Sequence, residues 1–200
     1  ASDVYKRQAH GIKNVRVLDR TFNYNPRRAK ELLRLFLEFH PDIRFHLEIH
    51  PALLSEELKE ELSLLPKGLL HLEAGIQSLR EPVLEKSRRM GKLSDALDGL
   101  RFLCALPNME THADLIAGLP LYHLHEIFED VRTLAGYAAG EIQLESLKLL
   151  PGTEMRRRAE ELGIKYSPLP PYEVLQTHEI SVSELQTCLL YTSDAADDSL

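Results

Sequence analysis

His46, Glu48 and His50 alternate along the run Phe45-His-Leu-Glu-Ile-His50. On a β-strand, alternate side chains share one face, so imidazole, carboxylate and imidazole would project together. That is a donor set for a divalent metal in a barrel hydrolase. Such sites draw further His and Asp ligands from later strand ends, whereas His71 and His112 fall within or before their strands. A second pattern is the carboxylate inside an apolar run, at Glu48, Glu73, Asp114 and Glu145. A buried carboxylate is costly unless paired. These positions mark either side chains turned inward to a polar ligand or side chains turned outward against helices. The two cysteines, Cys104 and Cys188, build neither a disulfide framework nor a cysteine-rich metal site. Cys104 shares an apolar helical face with Leu97, Leu100 and Leu103 and reads as core, and His123 and His125 read as an exposed loop.

The elements that must hold these residues alternate between strand and helix. Val15–Leu18 is a short strand ending at Asp19-Arg-Thr-Phe-Asn23, and Asn25-Pro26 opens a helix with Leu32, Leu33, Phe36 and Leu37 on one face. Ile43–Ile49 is a second strand, followed by a helix that Ser55 caps and that carries Leu58, Leu62 and Leu65. Leu69–Ile76 is a third strand, with helices predicted from Pro82 to Arg89 and from Ser94 to Leu106. Thr111–Ala117 and Ile142–Leu149 are the fourth and fifth strands, followed by helices near Glu126–Tyr137 and from Thr153 to Gly163. Five strand–helix units in succession imply parallel strands with right-handed crossovers. Each strand ends in polar or turn residues: Asp19-Arg20, Glu48 to His50, Gln77-Ser78, Gly118 to Pro120 and Pro151-Gly152. Ligands of parallel barrels and open sheets collect beyond the carboxyl ends of the strands, so these clusters are expected to form a composite site.

With 44% hydrophobic and 28% charged residues over 200 positions, the chain has the makings of one globular unit with a sizeable core. A net charge of −7 and short, scattered basic clusters argue against nucleic acid as the main partner. No apolar run reaches the length of a membrane span and the start has no signal pattern, so the expectation is a cytoplasmic protein. Residues 1–10 and 187–200 share no periodicity with their neighbours; Cys188-Leu-Leu-Tyr-Thr-Ser-Asp-Ala-Ala-Asp-Asp looks like a translated sequencing adapter. Both ends are expected to be non-native or disordered, with a core over 11–166 and a loop-rich start of a C-terminal region over 167–186.

Five motifs in order, Asp19-Arg-Thr-Phe-Asn23, Phe45-His-Leu-Glu-Ile49, Glu73-Ala-Gly-Ile-Gln-Ser78 with Arg88-Arg89, Asp114-Leu-Ile-Ala-Gly-Leu-Pro120 and Leu149-Leu-Pro-Gly-Thr153, resemble the radical S-adenosylmethionine (SAM) superfamily. The similarity is to its branch with a preceding cobalamin-binding domain and an uncharacterised C-terminal domain. It implies an α/β fold, a partial parallel (β/α) TIM-like barrel with about five of six strand–helix units present. The family's first unit carries a CxxxCxxC loop whose thiolates hold a 4Fe-4S cluster. No such motif occurs here, so the resemblance implies a fragment that lacks this unit and is inactive alone.

By the same resemblance, Asp19, Arg20 and Thr21 match the strand end that meets the methionine amino group, although the commoner Gly-Gly-Glu is absent. Gln77 and Ser78 match the ribose contact, and Arg88 or Arg89 the arginine that pairs with the methionine carboxylate. Ile116 and Gly118 match the apolar adenine contact, Leu149 to Gly152 the backbone edge that reads adenine, and Glu48 a contact to ribose, sulfonium or substrate. The implied reaction is generation of a 5′-deoxyadenosyl radical or cobalamin-dependent methyl transfer, on a small-molecule or peptide substrate, with an external electron donor. Two further possibilities are the His46/Glu48/His50 metallohydrolase and a non-catalytic barrel scaffold. A missing first unit would leave the Val15–Leu18 edge uncovered and limit solubility.

Overall fold

Apolar alternation decides which face of each strand is buried. In the computed structural model, which describes residues 11–137 and 141–188, strand β2 spans Arg44–Ile49. It buries Phe45, Leu47 and Ile49 on one side and leaves Arg44, His46 and Glu48 half-buried on the other. Strand β3, Leu70–Gln77, repeats the arrangement: Leu70, Leu72, Ala74 and Ile76 are buried, and His71, Glu73, Gly75 and Gln77 occupy the more open face. Strand β1, Asn14–Arg16, runs parallel to β2 with Arg16 beside His46. Strand β2 runs parallel to β3 with His46 beside His71 and Glu48 beside Glu73. With β4, Glu110–Ala117, and β5, Glu141–Ser146, they form a five-stranded sheet in the order β1-β2-β3-β4-β5. Sequential strand order with intervening helices is the βαβ arrangement, and the α/β expectation of a partial parallel barrel holds.

The helices begin where side chains take up their orphan amides. Helix α1, Pro26–Leu37, starts with the Asn25 side chain accepting from the Arg28 amide and Pro26 at the first position, and it buries Ala29, Leu33 and Phe36. Helix α2, Glu56–Leu64, has Ser55 accepting from the Leu58 amide, with Leu58 and Leu62 buried. Helix α3, Glu81–Lys86, stops short of the predicted Arg89, and α4, Leu93–Ala105, matches the predicted helix from Ser94 to Leu106 to within one residue. Helix α5 spans Leu124–Ala135, and α6 only Glu154–Arg157.

The chain divides into two compact units. The first contains the described parts of Ala1–Ile76, Gly91–Ala113 and Tyr137–Glu141. Its core includes Phe36 stacked on Phe45, ring centroids 4.0 Å apart, and Asn23, whose side-chain amide exchanges two 2.9 Å hydrogen bonds with the backbone of His50. The second contains Gln77–Met90, Asp114–Gly136 and the described part of Ile142–Leu200.

In this second unit the sequence reading needs three corrections. Helix α6 does not reach Gly163; after Arg157 the chain turns, and Arg156 lies across the rings of Tyr166 and Tyr172, 5.0 and 4.8 Å from their centroids. The segment read as a loop-rich exit contains an antiparallel pair, β6, Lys165–Tyr166, and β7, Val174–Gln176. Strand β5 stops at Ser146: the Leu147 amide still donates to the Ala117 carbonyl of β4, but the Leu147 carbonyl accepts from the Val174 amide and the Leu149 amide donates to Tyr172, a different pairing partner. Residues 182–188 are helical and Cys188 is fully buried. The remainder of the expected non-native ends, 1–10 and 189–200, lies outside the described residues.

Candidate functional site

The parallel register of the first unit gathers its polar side chains on one side of the sheet. Glu73 of β3 is the hub: its carboxylate accepts from Arg16 of β1 at 2.6 Å and pairs with His46 Nε2 of β2 at 2.7 Å. His112 Nε2 of β4 lies 3.7 Å from the same oxygen. Arg16 also reaches Glu48 at 3.1 Å. Behind this group, His71 Nε2 is 2.7 Å from His112 Nδ1, and Arg44 Nη2 is 2.8 Å from His71 Nδ1. Arg44 also pairs with Glu110, whose carboxylate lies 3.7 Å from His71 Nδ1.

The always-protonated guanidinium of Arg44 orders this chain of imidazoles. Arginine can only donate, so His71 Nδ1 accepts and its proton sits on Nε2, where it donates to His112 Nδ1. The proton of His112 then sits on Nε2 and faces Glu73. Burial, supported by the nearby charges of His112, His46 and Arg44, holds the His71 pKa below the ordinary histidine value, which favours this neutral form. His46 stacks on His71 with ring centroids 4.8 Å apart and planes 15° from parallel, fixing both rings. A shallow cavity of about 280 Å³ opens against Arg16, Arg44, His46 and His71.

The predicted ligand face is therefore only partly the observed one. Ligand atoms of His46, Glu73 and His112 all lie within 4.8 Å of one another, across three strands, whereas Glu48 is engaged by Arg16. His50 lies beyond the end of β2, buried, with its backbone held by Asn23. Glu73 and His112, left out of the expected trio, become central because register puts them there. Of the other carboxylates read as inward or outward, Glu145 is exposed and 3.8 Å from Lys148, the outward alternative.

The residues carrying nucleotide roles by resemblance fall in both units. In the first, Asp19 is paired with Arg28 and lies 3.5 Å from the Thr21 amide, the Thr21 hydroxyl donates to the Arg20 carbonyl, and Arg20 is exposed. In the second, Gln77 ends β3 in the left-handed region with φ 72°, and Ser78 is fully buried. Ser78 accepts from the Arg80 amide at 3.1 Å and donates to Asp130 at 3.4 Å, a supporting role in a buried network. Asp130 also accepts from the Tyr122 hydroxyl at 2.6 Å, the Leu79 amide at 2.7 Å and Arg80 Nε at 2.9 Å. No pattern in the sequence distinguished Asp130 from other helix carboxylates.

Arg88 is committed to Glu154, 2.6 Å away, while Arg89 is half-buried, and burial lowers its pKa from the ordinary arginine value. Ile116 is half-buried on β4. Gly118 has φ 89°, and a Cβ there would sit 3.2 Å from Val174, so local packing accounts for the glycine. The backbone edge at Leu149 is already used: its amide donates to Tyr172 and its carbonyl accepts from Arg156 Nη1 at 2.9 Å. The Gly152 carbonyl accepts from Arg157 Nη1 at 2.9 Å.

With the strands, their register and the polar face in place, solved structures supply a match. The chain is similar to a radical S-adenosylmethionine methyltransferase, TsrM from Kitasatospora setae, solved with cobalamin and a 4Fe-4S cluster bound, at TM-score 0.66 and 20% identity over 92% of this chain and 39% of that one. The fold is that of the radical SAM enzymes. Archaeal Elp3 from Methanocaldococcus infernus matches at TM-score 0.60 and 13% identity over 80% of this chain and 43% of that one. Coproporphyrinogen III oxidase, HemN, from Escherichia coli, a radical SAM enzyme, matches at TM-score 0.60 and 16% identity over 86% of this chain and 37% of that one. This chain thus spans less than half the length of each. No protein-family model matches it, and no curated protein matches it in sequence. Among the described residues no helix is long and apolar enough to cross a membrane.

Proposed function

We propose that this chain is part of the barrel of a radical SAM enzyme that binds S-adenosylmethionine at a 4Fe-4S cluster. It either generates a 5′-deoxyadenosyl radical or transfers a methyl group through cobalamin. The observation that carries the proposal is the likeness in fold to a radical SAM methyltransferase over 92% of the chain. The chain's own cysteines do not fit the cluster. Cys104 is half-buried on a helix and Cys188 is fully buried, with burial pushing its thiol up to about 12, the opposite of what a thiolate ligand needs. In this proposal the thiolates come from a CxxxCxxC segment outside this chain, and the chain alone is inactive.

Residues 11–166 form the barrel part, 167–186 begin a C-terminal region, and the enzyme is cytoplasmic, taking electrons from an external donor to act on a small molecule or peptide. This chain's residues bind and orient. Asp19 to Thr21 meet the amino group, Gln77 the ribose, and Ile116 the adenine face. Arg89, half-buried, takes the carboxylate.

The test uses the protein extended upstream to include CxxxCxxC, reconstituted anaerobically with iron and sulfide. Loaded protein is expected to bind SAM and to yield 5′-deoxyadenosine or S-adenosylhomocysteine after reduction. Arg89→Ala is expected to weaken SAM binding about 10-fold or more with the cluster absorption unchanged, the scale of a lost charge-assisted hydrogen bond. A cluster-loaded protein that binds no SAM overturns the proposal.

A further inference from the structure

We propose that His46, Glu73 and His112 form a binding site for one first-row divalent transition metal, with zinc as the ion the donor set suits best. The site is built entirely within the first unit and is independent of the cluster chemistry proposed above. Two imidazole nitrogens and one carboxylate are the three-ligand set that leaves a fourth position for water or an oxygen donor.

The spacing suits an ion. Ligand atoms bonded at about 2.0–2.1 Å to a tetrahedral metal lie roughly 3.3 Å apart. The two separations from the Glu73 oxygen, 2.7 Å to His46 and 3.7 Å to His112, bracket that value, and the three ligand atoms lie within 4.8 Å of one another. Shifts of about half an ångström in side-chain torsions bring each of the two pairs to it. Strands β2, β3 and β4 hold the three donors, so little chain entropy remains to be lost on binding.

The supporting residues match the needs of a metal-bound histidine, whose second ring nitrogen must donate to a fixed acceptor. When an ion occupies His112 Nε2, the ring's proton moves to Nδ1 and is donated to His71 Nε2, 2.7 Å away. His71 then carries its own proton on Nδ1, which requires Arg44, now 2.8 Å from that atom, to withdraw to its other partner Glu110 and Glu110, 3.7 Å away, to close on the ring. A carboxylate–histidine–histidine–metal relay results from these tautomer changes together with the shift of Arg44, with no net proton released by neutral rings. Arg16, half-exposed and shared between Glu73 and Glu48, can shift to Glu48 and free Glu73 for the ion.

The test is titration of the metal-free protein with Co²⁺, followed by displacement with Zn²⁺. Visible d–d bands of a four- or five-coordinate site are expected at one equivalent of Co²⁺, and one equivalent of Zn²⁺ should abolish them. Glu73→Gln, close to isosteric, and His46→Ala are each expected to weaken Co²⁺ binding about 100-fold or more with far-ultraviolet circular dichroism unchanged, whereas His50→Ala leaves it within twofold. Bands absent from the wild-type chain, or retained at full affinity in folded Glu73→Gln, overturn the proposal.

Discussion

Asp130 shows how much a single buried acceptor can organise. Its side chain is 1% exposed and receives the Tyr122 hydroxyl, the Leu79 amide, Arg80 Nε and the Ser78 hydroxyl. Burial, together with the neighbouring Asp130 carboxylate, raises the Tyr122 pKa far above the ordinary phenol value, which keeps its hydroxyl a donor. Asp130→Ala would strand a fully buried hydroxyl and a partly buried guanidinium, a loss of about 3–5 kcal/mol in urea unfolding. Tyr122→Phe, which removes only one donor, is expected to cost about 1 kcal/mol. A loss of equal size in both variants would place the weight on Tyr122 packing instead.

At the level of elements, helix α4 shows why propensity alone misleads. Gly99 sits in its interior, where alanine would ordinarily gain up to about 1 kcal/mol. A Cβ at Gly99 would stand 2.2 Å from the carbonyl oxygen of Pro51, in the 3₁₀ turn Pro51–Leu53. The obstacle is backbone and cannot rotate away. Gly99→Ala is therefore expected to destabilise the chain by about 1–3 kcal/mol, read as a lower midpoint in chemical denaturation. A stabilised variant would mean that the turn moves freely against the helix.

For the molecule as a whole, acid should be the destabilising direction. Hydrogen bonds from Arg44, Arg158 and Ser181 hold the carboxyl groups of Glu110, Glu161 and Glu184, respectively, below their ordinary value of 4.5. A depressed folded-state pKa contributes stability that is present above the unfolded value and lost as pH falls through the folded one. Thermal unfolding is accordingly expected to shift to lower temperature between about pH 5 and pH 3, more shallowly in Arg158→Ala. These groups lie at the surface, so each contributes a small share that salt reduces. A midpoint that does not move over that interval would show the pairs to be energetically silent.

The sequence by itself determined what local chemistry can determine. Alternation in Phe45 to Ile49 and Leu70 to Ile76 set the buried faces of β2 and β3, and Asn25, Ser55 and Thr153 marked helix starts through hydrogen bonds that span three residues. Period and capping act between near neighbours, so both are legible in a string of residues. Only the tertiary structure decided which polar side chains meet. His46 and Glu73 are 27 positions apart, and His71 and His112 are 41. Their contact follows from strand register and pairing, which the pattern within either strand leaves open. The same reason explains why His50 was read with His46, why Asp130 gave no local sign of its network, and why Leu147 to Leu149 left β5 to pair with residues 172–174.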